Sequence, residues 1–448
     1  MLFSTDTIRP FDELPSDNRL PLQLRSSIQN IGAKAYKPGL GNTVALDEFF
    51  EHPHTRYTTI HIAGTNGKGS CAHTLAAVLQ AHGYRTGLYT SPHLVDFRER
   101  MRIDGQPIPE SYVVDFVGKY RSFFEPLHPS FFELTTALAF QWFAEAAVDI
   151  AVIETGLGGR LDCTNIINPA LSIITNISYD HTQFLGSTLS QIAGEKAGII
   201  KHDTPVVIGE YTPETRKVFE DAAKAMHSPI VFAQDEPEVT RTVETPGALE
   251  IESTLLPQTI SYCLTGEYQK RNANTILCAI KQMRKVGIGI SDDSILQGFA
   301  SVNKTTGLRG RWEILSQHPT VIADTAHNSA GLKYTMQQLE HSPAHGLRIV
   351  IGMVSDKDID ASLALMPRRA TFYFTQARVK RALDARELQM RGETLGLHGR
   401  AFPNVKDAYV QAMRDADADD VIYVGGSNFV VGDLLQWLEA KVNADGKD

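Results

Sequence analysis

The stretch HIAGTNGKGSCAHTLAAVL, residues 61–79, joins an apolar β-branched run to an apolar helical run through a turn built of small residues around one lysine. The usual phosphate-binding loop reads G-x-x-x-x-G-K-[ST], with a hydroxyl directly after the lysine. Here Gly69 stands between Lys68 and Ser70. A strand before and a helix after are the setting such a loop requires. Gly64, Gly67 and Gly69 let the backbone turn tightly and aim N–H groups at an anion, and the helix N-terminus adds its partial positive charge. Lys68 then reaches the outer phosphates and Ser70 offers a hydroxyl to Mg²⁺. The plain alternative is a glycine turn with a solvated lysine.

Working outward, the first half of the chain repeats one pattern, a β-branched run ending in glycine or polar residues and then a helical stretch. YTTIHIAG leads into GSCAHTLAAVLQAHG; YRTGLYTS follows; FFELTTALAFQWFAEAA runs into VDIAVIETG; ALSIITNIS and TPVVIG add two more buried strands. Strands alternating with helices indicate an α/β fold with a mostly parallel sheet covered on both faces. From Val239 to Ser261 the texture changes to alternating, Thr-rich segments expected to form short antiparallel strands at the edge of the first domain. After NKTTGLRGR the alternation restarts with TVIADTA, LRIVIGMVS, ATFYFTQA and DVIYVGGS. Two domains are therefore expected, residues 1–307 and a smaller α/β domain over residues 308–448. The tail NADGKD is expected to fray.

A chain of 448 residues is too long for one ordinary core. With 42% hydrophobic and 21% charged residues it reads as a soluble globular protein. The net charge of −9 argues against coating nucleic acid, which needs a basic stripe. It leaves room for an anionic small molecule where lysines and arginines converge. Cys71, Cys163, Cys263 and Cys278 form no C-x-x-C pair and read as reduced thiols. The opening residues lack the basic start and apolar core of a signal peptide, and no run is long enough to span a membrane. A cytoplasmic protein with no membrane partner is expected.

Two further strand ends carry chemistry. In VIETGLGGRLDCTN, Glu154 stands at the C-terminal end of a buried strand, where open α/β sheets bind their ligands. It can hold Mg²⁺, cap a helix, or pair with Arg160. In ITNISYDHTQFLGSTLSQIAGEKAGIIK, Asp180 and His181 occupy the exit loop of a strand, and Glu195 and Lys196 follow a helix that Thr188 or Ser190 begins. A histidine beside an aspartate at such an exit is a candidate ligand or a merely exposed pair.

GTNGKGS, SPHL, FFELTTALAF, ETGLGGRLD-TN, DHT-FLG-TL--IA-EKAGIIK and D-AHN, taken together and in this order from about residue 30 to residue 430, resemble folylpolyglutamate synthase and dihydrofolate synthase of the Mur ligase superfamily. The resemblance implies a P-loop-containing N-terminal ATP-binding domain of Mur ligase type with a mostly parallel sheet, over residues 1–307. It implies a smaller Rossmann-like C-terminal glutamate-ligase domain over 308–448. GTNGKGS is this family's form of the loop, so Gly64, Thr65, Asn66, Gly67, Lys68, Gly69 and Ser70 are candidate ATP contacts. The implied reaction is ATP-dependent amide formation through an acyl phosphate, with ATP and Mg²⁺ required and dihydropteroate or reduced folates and L-glutamate as substrates.

The same resemblance distributes roles. Ser70, Glu154 and His181 are implied magnesium ligands, and Lys196 matches a lysine often carbamylated, which would make it a ligand too. Lys68, Lys196 and His327 are the implied catalytic set. Phe132 and Asp162 match positions that contact the pterin. Arg98, Arg100 and Arg102, at every second position, would share one strand face and steer an anionic substrate; a solvated face and a core Phe131–Phe132 pair are the structural alternatives. Gln269 and Asn272 match an adenine-proximal helix, Arg311 a cleft-crossing phosphate contact, and Asp324 a residue near ribose. His327 and Ser427 are implied glutamate contacts. Thr325 and Ser329 depart from the family's D-G-A-H-N-P. The loop SPHLVDFRERMRIDG and Asp162 point to the bifunctional enzymes, with a monofunctional folylpolyglutamate synthase as the close alternative. A nucleotide-binding regulatory protein lacking ligase chemistry is the reading of a different class, and a monomer is expected.

Overall fold

The computed structural model describes residues 39–343 and 345–445. The stretch read for export signals and the last three residues of the tail lie outside the described residues. The first three residues of NADGKD continue the helix Asn428–Asp445.

Eight strands form the first sheet: β1 (Thr58–Ala63), β2 (Thr86–Tyr89), β3 (Met101–Ile103), β4 (Gln106–Pro107), β5 (Ile150–Glu154), β6 (Leu171–Ile174), β7 (Val206–Ile208) and β8 (Ile230–Phe232). They lie in the order β4-β3-β2-β5-β1-β6-β7-β8. β2, β5, β1, β6, β7 and β8 run parallel; only β3 and β4 are antiparallel additions at one edge. The cause is in the side chains: β5 and β6 are buried along their whole length, so both faces must be covered, which parallel strands with helical crossovers achieve. The helix Lys68–His82 covers one face with ten consecutive buried residues, Ser70 to Leu79. Phe131–Glu145 covers the other.

The Thr-rich segment forms a separate antiparallel sheet of β9 (Val239–Thr245), β10 (Ala248–Ser253) and β11 (Ile260–Tyr262). Its inward residues Leu249, Ile251, Ile260 and Tyr262 join the core of the phosphate-loop helix. The last short helix before the second sheet ends at Thr306, and that sheet begins at Glu313. It contains β12 (Glu313–Gln317), β13 (Thr320–Asp324), β14 (Leu347–Ile351), β15 (Thr371–Phe374), β16 (Gly399–Ala401) and β17 (Val421–Gly425), ordered β12-β13-β17-β14-β15-β16. All pairs except β12–β13 are parallel.

Both parallel sheets present the carboxyl ends of their strands to one cleft. From the first come the residues after β1, β5, β6 and β7; from the second, those after β13 and β17. This is where open α/β sheets carry their sites. No helix among the described residues is long and apolar enough to cross a membrane.

Candidate active site

The loop after β1 is held by its neighbours more than by itself. Thr65 N–H donates to Asn176 O at 2.9 Å, and Thr175 Oγ1 donates to Asn66 O at 2.6 Å. Gly67 has φ 84°, a left-handed conformation, and a Cβ there would stand 2.3 Å from Asn272 Oδ1. Gly69 is helical, but a Cβ on it would meet the Arg311 guanidinium at 3.2 Å and Glu154 Oε2 at 3.9 Å. The inserted glycine thus keeps the first helical turn bare where a carboxylate and a cross-cleft cation converge. Ser70 follows one residue later, buried, and its Oγ accepts from Gln269 Nε2 at 3.1 Å.

Gln269 therefore does not face the cleft as an adenine contact. It is wholly buried, and its Oε1 accepts from Asn272 Nδ2 at 2.8 Å, which fixes the amide with its nitrogen toward Ser70. It props the loop from beneath, while Asn272 lines the cleft.

Lys68 Nζ donates to Gly64 O at 3.1 Å and stands 3.9 Å from Glu154 Oε1. Glu154 is 3% exposed and accepts one hydrogen bond, from Ser91 N–H at 3.2 Å. Burial raises its pKa, against the opposing pull of Lys68 and the Ser91 N–H. The pairing with Arg160 does not form; that arginine holds Glu195 at 2.5 Å instead. An isolated buried carboxylate costs several kcal/mol, so the geometry at Glu154 suits a further cation.

Lys196 is also 3% exposed, and its Nζ donates to Gly64 O at 3.0 Å, the same carbonyl that Lys68 uses. Burial, then the neighbouring Lys68 charge, bring its pKa down to about 7. Glu195 and Lys196 lie within the helix Leu189–Ala197 rather than beyond it; Thr188 caps that helix, its hydroxyl accepting from Gln191 N–H. His181 has φ 49° and sits beside Asp180, with burial lowering its pKa to about 4. Among the described residues no three His, Cys, Asp or Glu side chains converge to hold a metal by themselves.

From the second sheet, Arg311 bonds the Thr325 hydroxyl and Gly310 O and reaches the first helical turn of the loop. Asp324, at the end of β13, is buried and accepts from Tyr268 OH at 2.6 Å, Trp312 N–H at 2.8 Å and Ala326 N–H at 2.8 Å. His327 Nδ1 contacts Thr325 O at 2.9 Å. A carbonyl only accepts, so Nδ1 donates to it, and Nε2 is left on the side of Asp180 and the cleft. The Ser427 hydroxyl accepts from Phe429 and Val430 N–H groups, capping the last helix, at the edge of a cavity.

The cleft consists of a cavity of about 740 Å³ along the phosphate loop and a smaller one of about 220 Å³. Thr65, Lys68, Ser91 and His327 line both. Lys196, His181 and Ser427 line the smaller; Arg311 and Asp324 line the larger.

Phe132, Asp162, Arg98, Arg100 and Arg102, read as acceptor-side residues, are in neither wall. Phe132 lies against Gly156, which lines the smaller cavity; a Cβ on that glycine would be 2.3 Å from its ring. Asp162 commits its carboxylate to Gly156 N–H and Leu157 N–H, both at 2.8 Å, and to Thr164 N–H and Oγ1. As placed, it shapes the loop after β5. The arginines do not share a strand face, because Phe97–Arg100 is a 3-10 turn capped by Asp96 and only Arg102 lies in β3. Arg98 folds back onto Asp96, Arg100 is buried and donates to His93, and Arg102 donates to Gly105 O.

Asp180, named from its strand exit, gathers partners, among them Lys357, which no motif singled out. Asp180 accepts from Lys357 Nζ and, at 3.0 Å, from Asn328 Nδ2, with His327 Nε2 at 3.7 Å. Burial opposes its charge, but His327, His181 and Lys357 hold its carboxyl well below the usual range. Tyr268 tethers the first domain to Asp324. Lys357 lies 177 positions from Asp180 in the chain, a contact no local pattern encodes.

Gly67→Ala tests the loop. A left-handed alanine costs about 1–2 kcal/mol, and its methyl would displace Asn272. The expected result is a lowered melting temperature and loss of the stabilisation that added ADP gives the parent chain. Full ADP stabilisation in the variant would remove this loop from the nucleotide site.

Residues 62–280 match the Mur ligase middle domain and residues 310–428 the Mur ligase glutamate ligase domain. The dihydrofolate synthase/folylpolyglutamate synthase of Escherichia coli is 34% identical over 389 residues, covering 85% of this chain and 86% of that protein. A probable bifunctional folylpolyglutamate synthase/dihydropteroate synthase of Haloferax volcanii is 33% identical over 422 residues; the chain spans about half the length of that relative, 49%. A solved structure of E. coli FolC in complex with DHPP and ADP has a TM-score of 0.81 at 31% identity, covering 92% of this chain and 96% of that one. The chain belongs to the dihydrofolate synthase/folylpolyglutamate synthase family of Mur ligases.

Proposed function

We propose that the chain is an ATP-dependent ligase that joins L-glutamate to dihydropteroate and to reduced folates. The observation that carries this reading is the single cleft in which the phosphate loop, with Lys68 3.9 Å from Glu154, opens onto a smaller cavity bordered by His327. Family membership supplies the reaction class. Two domains, residues 1–307 and 308–448, each contribute one wall. Because both walls come from one chain, a monomer is sufficient, and ATP and folate as substrates suit the cytoplasm.

The residues fit magnesium. Glu154 is a buried carboxylate with one N–H partner, and the Ser70 hydroxyl is oriented by Gln269. A hard cation of this kind keeps waters and takes one or two carboxylates plus phosphate oxygens. His181 and Lys196 would serve a second ion if Lys196 takes up CO₂. Lys196 is suited to this: a pKa of about 7 leaves free amine at neutral pH, and its remaining N–H can still donate to Gly64 O. Magnesium would supply charge neutralisation at the phosphoryl oxygens.

The protein's own groups do the rest. An acceptor carboxylate must approach a triphosphate of like charge. Lys68 and Arg311, both lining the larger cavity, lower that repulsion. The carboxylate oxygen bonds the γ-phosphorus, the bond to the β-phosphate oxygen breaks, and ADP leaves. The glutamate amine then bonds the acyl carbon, the C–O bond to phosphate breaks, and the amine's proton is lost. His327, which borders both cavities, is placed to orient that amine. Asp162 and Phe132 support the acceptor's cavity through Gly156.

The test is ADP release, dependent on glutamate, with dihydropteroate and with tetrahydrofolate in parallel. Activity with both is expected. Activity with tetrahydrofolate alone would reduce the reading to folylpolyglutamate synthase, and activity with neither would overturn it.

A further inference from the structure

Resting on the ligase reading above, we infer that Asn66 and Asn328 form an amide clasp that couples closure of the cleft to the phosphate loop. Asn66 Nδ2 donates to Asn328 Oδ1 at 3.2 Å, and Asn328 Nδ2 donates to Asn66 Oδ1 at 3.0 Å. One residue sits in the phosphate loop, the other begins the helix Ser329–Glu340 of the second domain. The two bonds run in opposite directions between the same side chains, 262 positions apart in the chain.

The orientation is determined by what surrounds it. The second proton of Asn328 Nδ2 goes to Asp180 Oδ2 at 3.0 Å, and Oδ1 also accepts from Gly331 N–H at 2.8 Å. A flipped amide would set its oxygen against the Asp180 carboxylate and its NH₂ against the Gly331 N–H. All four hydrogen-bonding positions of this 5% exposed side chain are thus filled in one way only. The Asn66 backbone is held as well, its N–H donating to Asn176 Oδ1 at 2.9 Å and its carbonyl accepting from Thr175 Oγ1 at 2.6 Å, and its Nδ2 also donates to Ser178 Oγ at 3.4 Å.

The clasp therefore links three things the reaction needs aligned: the loop between Gly64 and Lys68, Asp180 with its contacts to His327 and Lys357, and the turn that carries His327. A neutral amide pair suits this task. Its net strength in water is small, about 0.5–1.5 kcal/mol per hydrogen bond, so it biases closure without locking it. Once water is excluded, unmade bonds are costly, which makes the pair sensitive to the last increment of closure. Asn328 is thus a positioning residue that acts through Asn66 and Asp180.

Asn328→Ser separates this role from helix capping. Serine caps a helix as well as asparagine, adds no charge, and is too short to reach Asn66. The experiment compares the parent chain, Asn66→Ala, Asn328→Ser and the double variant for melting temperature, kcat, KM and ADP released per amide formed. The expected result is a melting temperature lowered by only a few degrees for Asn328→Ser, a kcat lowered about tenfold or more, and several ADP per amide as water reaches the acyl phosphate. KM for ATP should shift less than kcat, and the double variant should be no worse than the poorer single. Parent-like coupling in Asn328→Ser, or losses that multiply in the double variant, would overturn the clasp. Failure of the parent chain itself to couple ADP release to amide formation would instead overturn the ligase reading.

Discussion

Lys68→Ala abolishes ADP formation, with an expected fall in kcat of at least about 10³-fold. Lys68 is the loop's own cation; its Nζ stands 3.1 Å from Gly64 O and 3.9 Å from Glu154. Two consequences follow from its removal. The triphosphate loses the counter-charge that lets a carboxylate approach it. Glu154, whose pKa burial already raises, loses the first of the groups that oppose the rise. The side chain is partly exposed and packs no core, so the fold should survive. The measurement is ADP release at saturating substrates, with a thermal melt to show that the variant is folded. Turnover at the parent rate would sink the phosphate-loop assignment.

Lys196→Arg is expected to lose activity by about 10²-fold or more. The substitution keeps a positive charge and so distinguishes two roles. If Lys196 acts only as a cation, arginine retains much of the rate. If it acts as a carbamate, arginine cannot replace it, since a guanidinium stays protonated and takes up no CO₂. The pocket favours the second role, because burial and Lys68 together bring the amine near neutrality. Intact-mass or carbon-13 measurements in labelled bicarbonate should find the adduct on the parent chain and not on the variant. An active arginine variant with no adduct on the parent would refute the carbamate.

Much of the fold is legible in local sequence. The largely apolar, β-branched runs IAVIE and LSII read as strands buried on both faces, and GTNGKGS between a strand and a helix points to a phosphate loop, with the ordered set of motifs carrying the resemblance. The inserted Gly69 is understood only in three dimensions, where it leaves room for Arg311 and Glu154. Alternation misled at Arg98, Arg100 and Arg102. Asp96 and Glu99 form a reciprocal cap there that turns the backbone into a 3-10 helix, and a period of two then has no meaning. Gln269 reads as a ligand contact from its place in a motif, yet complete burial assigns it to Ser70. Asp162 likewise spends its carboxylate on loop N–H groups. Lys357 escapes sequence reading altogether, while Asp180 and Asn328, visible as members of DHT and D-AHN, take their meaning from contacts between domains, where no local period exists.

The central claim is that the cleft activates a carboxylate by phosphorylation. It is tested most directly by supplying the acceptor with both carboxylate oxygens isotopically labelled, together with ATP and glutamate, and analysing the inorganic phosphate released. Attack on the γ-phosphorus makes one labelled oxygen the bridge of an acyl phosphate, and displacement by the glutamate amine leaves that oxygen on phosphate. The account predicts one labelled oxygen in phosphate for each amide formed. Phosphate without label, with amide still produced, would contradict it.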